Sequence, residues 1–101
     1  MWAQLIQVRL KRGKDPAEMT KQIRAAEQPG SGLIRTLMMR DQTDPTRLYT
    51  LVVFENEEKA RAREQDPRRN DLLREVQASM VTLFDGPPEF VDLTVLRDVE
   101  A

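Results

Sequence analysis

The chain has 101 residues, of which 33% are charged, and its 16 basic and 17 acidic residues nearly cancel to a formal net charge of -1. This balance predicts no clustered basic surface for nucleic acid and no attraction to an anionic membrane, and no apolar run is long enough to cross a bilayer. Cysteine and histidine are absent, which excludes disulfides, thiolate nucleophiles and sites that depend on imidazole. We therefore expect a single domain over residues 1–101, without a signal peptide and cytoplasmic.

The first quarter of the chain predicts a strand followed by a helix. Residues 3–10 alternate, which places Ile6, Val8 and Leu10 on one face and Leu5, Gln7 and Arg9 on the other. The segment DPAE starts a helix, with Asp15 as the cap, Pro16 at the first helical position and Glu18 closing a capping box. Met19, Ile23 and Ala26 follow at helical spacing, and QPGSG ends the helix.

Two further strands follow, joined by the turn-forming segment DQTDPT. The first is predicted over Leu33–Arg40, with Leu33, Leu37 and Met39 on one face and Ile34, Thr36 and Met38 on the other. The second is predicted over Leu48–Glu55, with Leu48, Val52 and Phe54 on one face and Tyr49, Leu51 and Val53 on the other. Both strands are apolar on both faces.

The last part of the chain predicts helices and a final strand. Asn56 is placed to cap a helix, and Glu57 can pair with Arg61 four residues later. Asp66–Pro67 breaks this helix and starts another, whose apolar stripe is predicted to contain Leu72, Leu73, Val76, Met80 and Leu83. The final strand is predicted over Phe90–Arg97, with Val91, Leu93 and Val95 on one face.

This order predicts an α+β protein with the ferredoxin-like β-α-β-β-α-β pattern, an antiparallel four-stranded sheet with helices on one face. The helices can cover only one face of strands that are apolar on both. About four apolar side chains left in water would each forgo about 1.5–3 kcal/mol of burial. A second copy of the sheet, related by a two-fold axis, is the simplest cover, so we expect a homodimer formed through the sheet faces.

Two segments resemble the antibiotic biosynthesis monooxygenase-like domain of the dimeric α+β barrel superfamily. QPGSGLI is similar to the family's Pro-Gly turn into the second strand. DPTRLYTLVVFENEEKARAREQDPR is similar to its strand ending in an aromatic residue, followed by a short capped helix and a break. Family members often carry Trp at the position of Phe54 and His at the position of Arg63.

The resemblance implies a dimeric α+β barrel and, for oxygenase members, chemistry without a bound metal or flavin. Such members are thought to deprotonate a phenolic or polyketide-like substrate, whose carbanion then reacts with oxygen. Haem-degrading relatives use a His ligand, which this chain lacks. We therefore expect no cofactor, and no stoichiometric transition metal because only oxygen ligands remain.

Tyr49 and Arg35 are the candidate catalytic residues, through hydrogen bonding and charge stabilisation rather than base catalysis. Trp2, Arg9 and Phe54 are candidates for contact with a small aromatic ligand or its anionic group. Each has a structural alternative: core packing for Tyr49 and Trp2, and ion pairing or a strand edge for the arginines.

The remaining polar features favour structural roles. Arg63 and the charged run around it are interpreted as a solvated helix face. GSG is not followed by a helix start, which argues against a phosphate-cradling loop.

Two functions remain open at this point. The first is a cofactor-independent monooxygenase that acts on a small aromatic or polyketide-like molecule, for which a pocket holding Tyr49 and a strand arginine would be required. The second is a non-catalytic dimeric domain that binds a small molecule or only assembles, for which the space between sheet and helices would be filled.

Overall fold

A computed structural model describes all 101 residues and contains one antiparallel four-stranded sheet in the order β2-β3-β1-β4. The strands are β1 (Trp2–Arg9), β2 (Leu33–Arg40), β3 (Arg47–Phe54) and β4 (Glu89–Thr94). The predicted ferredoxin-like β-α-β-β-α-β fold is therefore confirmed, and each of the four strands lies within two or three residues of its predicted limits.

The helices are α1 (Ala17–Ala25), α2 (Glu57–Glu64), α3 (Pro67–Leu72) and α4 (Arg74–Leu83). Asn56 caps α2 as predicted, because its side-chain oxygen accepts a hydrogen bond from the Lys59 amide at 2.8 Å. Asp15 accepts a bond from the Ala17 amide at 2.9 Å. Glu18 makes no return bond, so the predicted capping box is not formed, and α1 begins one residue later than expected.

The structure shows which face of the sheet the helices cover, which the strand alternation alone leaves open. Two strands pack alternate side chains toward the helices. On β1 these are residues of even number, among them Ile6 and Val8, and on β3 they are Leu48, Val52 and Phe54. We call the opposite side of the sheet the open face. It carries Leu5 of β1 and, in register with it, Leu51 of β3.

The core between sheet and helices is divided into two clusters. The Phe84 cluster consists of Leu10, Met19, Ala26, Leu48, Leu73, Val76 and Phe84. The Trp2 cluster consists of Trp2, Val52, Phe54 and Ala60. Helices α1 and α4 cover the first cluster, and α2 covers the second through Ala60.

An irregularity at the start of β2 corrects the predicted face of Leu33. The register of β2 on β3 shifts between Leu33 and Arg35, so Leu33 pairs with Phe54 and Arg35 with Val53. A bulge places two residues opposite one and changes the alternation beyond it. Leu33 therefore packs against the Trp2 cluster, whereas Leu37 and Met39 lie on the open face, and Ile34 at the bulge is 50% exposed.

The helix predicted to run from Pro67 to Leu83 is instead two helices that meet at Leu73. Leu73 has φ -91° and ψ 0°, and its amide bonds to the carbonyls of Arg69 and Asn70 at the end of α3. The bend turns Leu73 into the Phe84 cluster and leaves Leu72 at 57% exposure. The placement of Leu72 in the apolar stripe was therefore wrong.

The last strand ends at Thr94, three residues before its predicted end. Val91 and Leu93 share a face as expected, and this is the open face, opposite Leu5 and Ala3 of β1. Beyond β4 the chain is exposed, including Leu96 and Val99. No helix of the chain is both long enough and apolar enough to cross a membrane.

Candidate functional site

The open face presents a row of apolar side chains that crosses all four strands. Leu51 is in register with Leu37 on one side and with Leu5 on the other, and Leu5 is in register with Val91. Leu37 and Val91, at the two ends of the row, are 44% and 40% exposed. The open face also contains Ala3, Met39, Tyr49, Val53 and Leu93.

Tyr49 lies on the open face and is tied to the loop between β2 and β3. Its hydroxyl donates a hydrogen bond to a carboxylate oxygen of Asp41 at 3.2 Å. Hydrogen bonds from the Thr43 side chain, from the Thr43 and Asp44 amides and from Tyr49 hold the pKa of Asp41 below its usual value. Asp41 is therefore a charged acceptor for the phenol, and this contact orients the ring at the edge of the open face.

The two strand arginines lie at opposite ends of the open face: Arg9 is two residues from Gln7, the register partner of Tyr49, whereas Arg35 is far from Tyr49. Arg9 donates to Asp44 at 2.8 Å and to the Thr46 hydroxyl at 3.1 Å, which links the end of β1 to the same loop. Arg35 is in register with Val53, four residues along β2 from the partner of Tyr49. Four residues of strand span roughly 13 Å, so Arg35 lies at the opposite end of the open face.

Trp2 and Phe54 lie on the helix side and form the aromatic part of the Trp2 cluster. Their ring centroids are 6.1 Å apart at an interplanar angle of 49°. The guanidinium of Arg61 lies 5.1 Å from the Trp2 ring centroid, and that of Arg63 lies 5.3 Å from the Phe54 centroid. Both aromatic side chains are buried, so their surroundings are those of packed core residues capped by cations.

Arg63 is not the solvated residue that the charged run suggested. Its guanidinium makes a bidentate contact with Glu27, with the shortest bond at 2.7 Å, and the two side chains are only 14% and 22% exposed. Burial alone would raise the pKa of Glu27, but the hydrogen bonds and charge of Arg63 outweigh burial and hold that pKa below its usual value. The pair fastens α2 to the chain after α1.

A cavity of about 230 Å³, which we call the basic cavity, opens beside this ion pair. It lies between residues 27–31 after α1, the inner side of α2, and the start of α3. Its lining includes four cations: Lys59, Arg63, Arg68 and Arg69. The sequence gives no indication of this cavity, since a run of alternating charges does not show which of its side chains face inward.

A second cavity of about 180 Å³ lies between α1 and the junction of α3 with α4 and is lined by Gln22, Ala25, Ala26, Leu72 and Glu75. Neither cavity contains Tyr49, Trp2, Phe54 or a strand arginine. The acidic residues form no group of three or more that could hold a metal ion. The candidate residues are thus distributed over two faces of the sheet.

No protein-family model and no curated protein matches the chain. Solved structures do match it. The chain superimposes with a TM-score of 0.72 on a candidate antibiotic biosynthesis monooxygenase from Nitrosomonas europaea, at 18% identity, covering 96% of this chain and 100% of that one. SnoaB, a cofactor-independent oxygenase from Streptomyces nogalater, matches with a TM-score of 0.69 at 14% identity, covering 99% and 97% of the two chains.

Rv0793 from Mycobacterium tuberculosis matches with a TM-score of 0.72 at 12% identity, covering 98% of each chain. Identities this low establish the fold and leave the reaction open. The resemblance noted in the sequence is thus confirmed at the level of structure. The chain has the ferredoxin-like α+β fold of the antibiotic biosynthesis monooxygenase-like domains.

Proposed function

We propose that the protein acts as a homodimer whose two open faces pack together, and that each subunit is a non-catalytic small-molecule-binding domain. The open face supports the first part of this proposal, because its apolar row crosses the whole sheet and no helix covers it. A contiguous apolar patch of this kind on a folded chain marks an interaction surface.

A second copy of the same sheet fits this surface better than a small ligand does. Three strands of eight residues and one of six, about 4.8 Å apart with roughly 3.3 Å per residue, describe a face of about 19 by 25 Å. Because side chains project from the sheet, the accessible area of this face is larger than its flat projection and approaches the roughly 800 Å² per partner of a specific interface. The exposed Leu96 and Val99 after β4 offer further apolar surface at its margin. Light scattering at micromolar concentration should give twice the chain mass of 11.7 kDa.

The positions of the candidate residues favour binding over catalysis. Tyr49 is hydrogen-bonded to Asp41 on the open face, and Arg35 lies at the other end of that face. Neither lines the basic cavity or the second cavity beside α1. A reaction on an aromatic molecule needs an enclosed, mostly apolar site with a few convergent polar groups, and the apolar interior here is occupied by the two core clusters.

Cofactor-independent oxygenation of a small aromatic or polyketide-like molecule is the second candidate. It is favoured by the match over nearly the whole chain to SnoaB, a cofactor-independent oxygenase. In that case Tyr49 would orient the substrate and donate a hydrogen bond to its developing anion, after exchanging Asp41 for the substrate oxygen. A neutral phenol donates a hydrogen bond rather than taking up a proton, so the acidity of the substrate would supply most of the driving force.

Oxygen consumption with hydroquinones and anthrone-like substrates separates the two candidates. For a binding domain, the wild-type protein should not exceed the spontaneous rate. For an oxygenase that uses Tyr49, the wild type should exceed it and Tyr49→Phe should lose about a hundredfold in rate, as expected when a donor to a developing anion is removed. Turnover that is equally fast in Tyr49→Phe would support the enzyme and reject Tyr49 as its donor.

A further inference from the structure

The basic cavity carries more positive charge than its own carboxylates neutralise. Its lining contains four cations but only two carboxylates, those of Glu27 and Asp66, in a chain whose net charge is -1. Lys59 is also paired with Glu55, outside the lining, so one positive charge remains in excess where the segment after α1 meets α2 and α3. Such a local concentration attracts anions even when the protein as a whole is slightly acidic.

Three of the four cations have carboxylate partners, and Arg69 does not. Arg63 pairs with Glu27 at 2.7 Å, and Arg68 pairs with Asp66 at 2.8 Å. Lys59 pairs with Glu55, outside the lining, at 2.9 Å. The Nε of Arg69 is buried and has no hydrogen-bond partner.

The position of Arg69 is unfavourable for an isolated protein. Burial lowers its pKa and the neighbouring charge of Arg63 lowers it further, although the charges of Glu27, Glu64 and Asp66 act in the opposite direction. A buried donor without an acceptor costs free energy that a hydrogen bond would otherwise return. The whole Arg69 guanidinium makes no ion pair, so an anion in the cavity would offset its charge and reduce the repulsion between the guanidinium groups of Arg63 and Arg69.

We infer that the basic cavity binds a small anion of the phosphate class, with Arg69 as its principal donor. A guanidinium presents a planar fork of donors that matches phosphate oxygens, and the three other cations in the lining can surround a group with several anionic oxygens better than a monocarboxylate. The cavity has a volume of about 230 Å³, which exceeds that of several water molecules at about 30 Å³ each and leaves room for a small anion. Side chains supply the donors here, which distinguishes the site from a glycine-rich phosphate loop.

Lys59 forms one wall of the site through a close approach to Gly32. A Cβ at Gly32 would lie 2.6 Å from Cδ of Lys59, and Gly32 has a φ of +80°. Glycine at this position therefore lets the Lys59 stem lie flat against the loop, beside the cavity. The site is separate from the open face, so anion binding there requires neither dimerisation nor oxygenase activity.

Calorimetric titration with inorganic phosphate tests this inference at fixed ionic strength in a chloride background. The wild type should bind phosphate with saturation, sulfate should compete, and acetate should compete much less. Arg69→Gln should weaken phosphate binding about tenfold to a hundredfold, the usual contribution of a hydrogen bond to a charged group. Arg74→Gln is the matched control, since Arg74 is 79% exposed on α4 and outside the cavity; it should bind like the wild type.

Two further measurements complete the test. Without phosphate, Arg69→Gln should be at least as heat-stable as the wild type, because it removes a desolvated and unpaired charge. In wild-type protein, phosphate should shift the backbone amide NMR signals of residues 27–32 and of α3. Absence of saturable phosphate binding in the wild type would overturn the inference. So would equal affinity in Arg69→Gln, acetate binding as tight as phosphate, or an Arg69→Gln variant markedly less stable than wild type.

Discussion

Replacing Leu51 by Asp tests the open face most directly. Leu51 lies near the centre of the apolar row, between Leu37 and Leu5. Leu51 belongs to neither of the core clusters between sheet and helices. The substitution should therefore remove only cross-strand contacts from the folded monomer and lower its free energy of unfolding by about 1 kcal/mol. The main effect is expected on association.

The size of that effect follows from the two-fold symmetry. Each Leu51 removed from an interface forfeits about 2 kcal/mol of burial, and each aspartate placed there adds a desolvation penalty of several kcal/mol. Both terms count twice in a symmetric dimer. The total exceeds about 8 kcal/mol, which corresponds to a rise in the dimer Kd of at least about a hundred-thousandfold.

Sedimentation equilibrium measures this change, with circular dichroism as the check on folding. Wild-type protein should be a dimer at micromolar concentration, and Leu51→Asp should be a folded monomer. Leu72→Asp is the control, because it makes the same substitution at a residue that is 57% exposed on α3; it should remain a dimer. A Leu51→Asp dimer with a Kd within tenfold of wild type, or a monomeric wild type, would refute the proposed interface.

Three other outcomes are expected. The pKa of Glu27 is depressed, so its pair with Arg63 stabilises the fold fully above the usual carboxyl pKa near 4.3. This stabilisation is lost as the pH falls through the lower pKa of the folded state. Glu27→Gln should therefore lower the free energy of unfolding, measured with urea, by about 2 kcal/mol at pH 7 and by less at pH 3. Gly32→Ala should be more destabilising than Gly13→Ala, because both glycines have φ of +80° but only Gly32 has Lys59 within 4 Å; equal losses in melting temperature would show that the Lys59 contact yields freely. Elemental analysis of purified protein should find no stoichiometric zinc or iron, and about one atom per chain would contradict this.

The sheet could be predicted because its residues obey one simple rule. Alternation over Leu48 to Phe54 assigns each side chain to a face, and the structure places all of them accordingly. Pro, Gly and Asp at the connections marked where strands and helices end. These signals are local, so they can be interpreted without knowledge of the tertiary structure.

The errors occurred where tertiary packing overrides the local pattern. The bulge between Leu33 and Arg35 has no distinctive sequence, and it moved Leu33 to the other face. The break at Leu73 contains neither Gly nor Pro, yet it decides that Leu73 rather than Leu72 enters the core. Both features depend on how the segment fits its neighbours, which a one-dimensional period does not describe.

The sequence was least informative about charged residues. Arg61, Arg63 and Arg69 lie in one charged run, but they contact Trp2, Phe54 and the basic cavity respectively. Long cationic side chains can cover apolar surface with their stems and still place their charge in a pocket. Their direction was set by helix placement, so only the structure could separate ligand candidates from solvated charges.

The divided core makes the single tryptophan of this chain a selective optical reporter. Trp2 belongs to the smaller cluster with Phe54, whereas the cluster around Phe84 contains no tryptophan or tyrosine. Tryptophan fluorescence therefore follows the end of the domain held by α2, while far-ultraviolet circular dichroism follows the helices at both ends. Coincident denaturation curves would indicate one cooperative unit. An earlier fluorescence transition would show that the α2 end, which also walls the basic cavity, opens by itself and at a lower free energy than the rest.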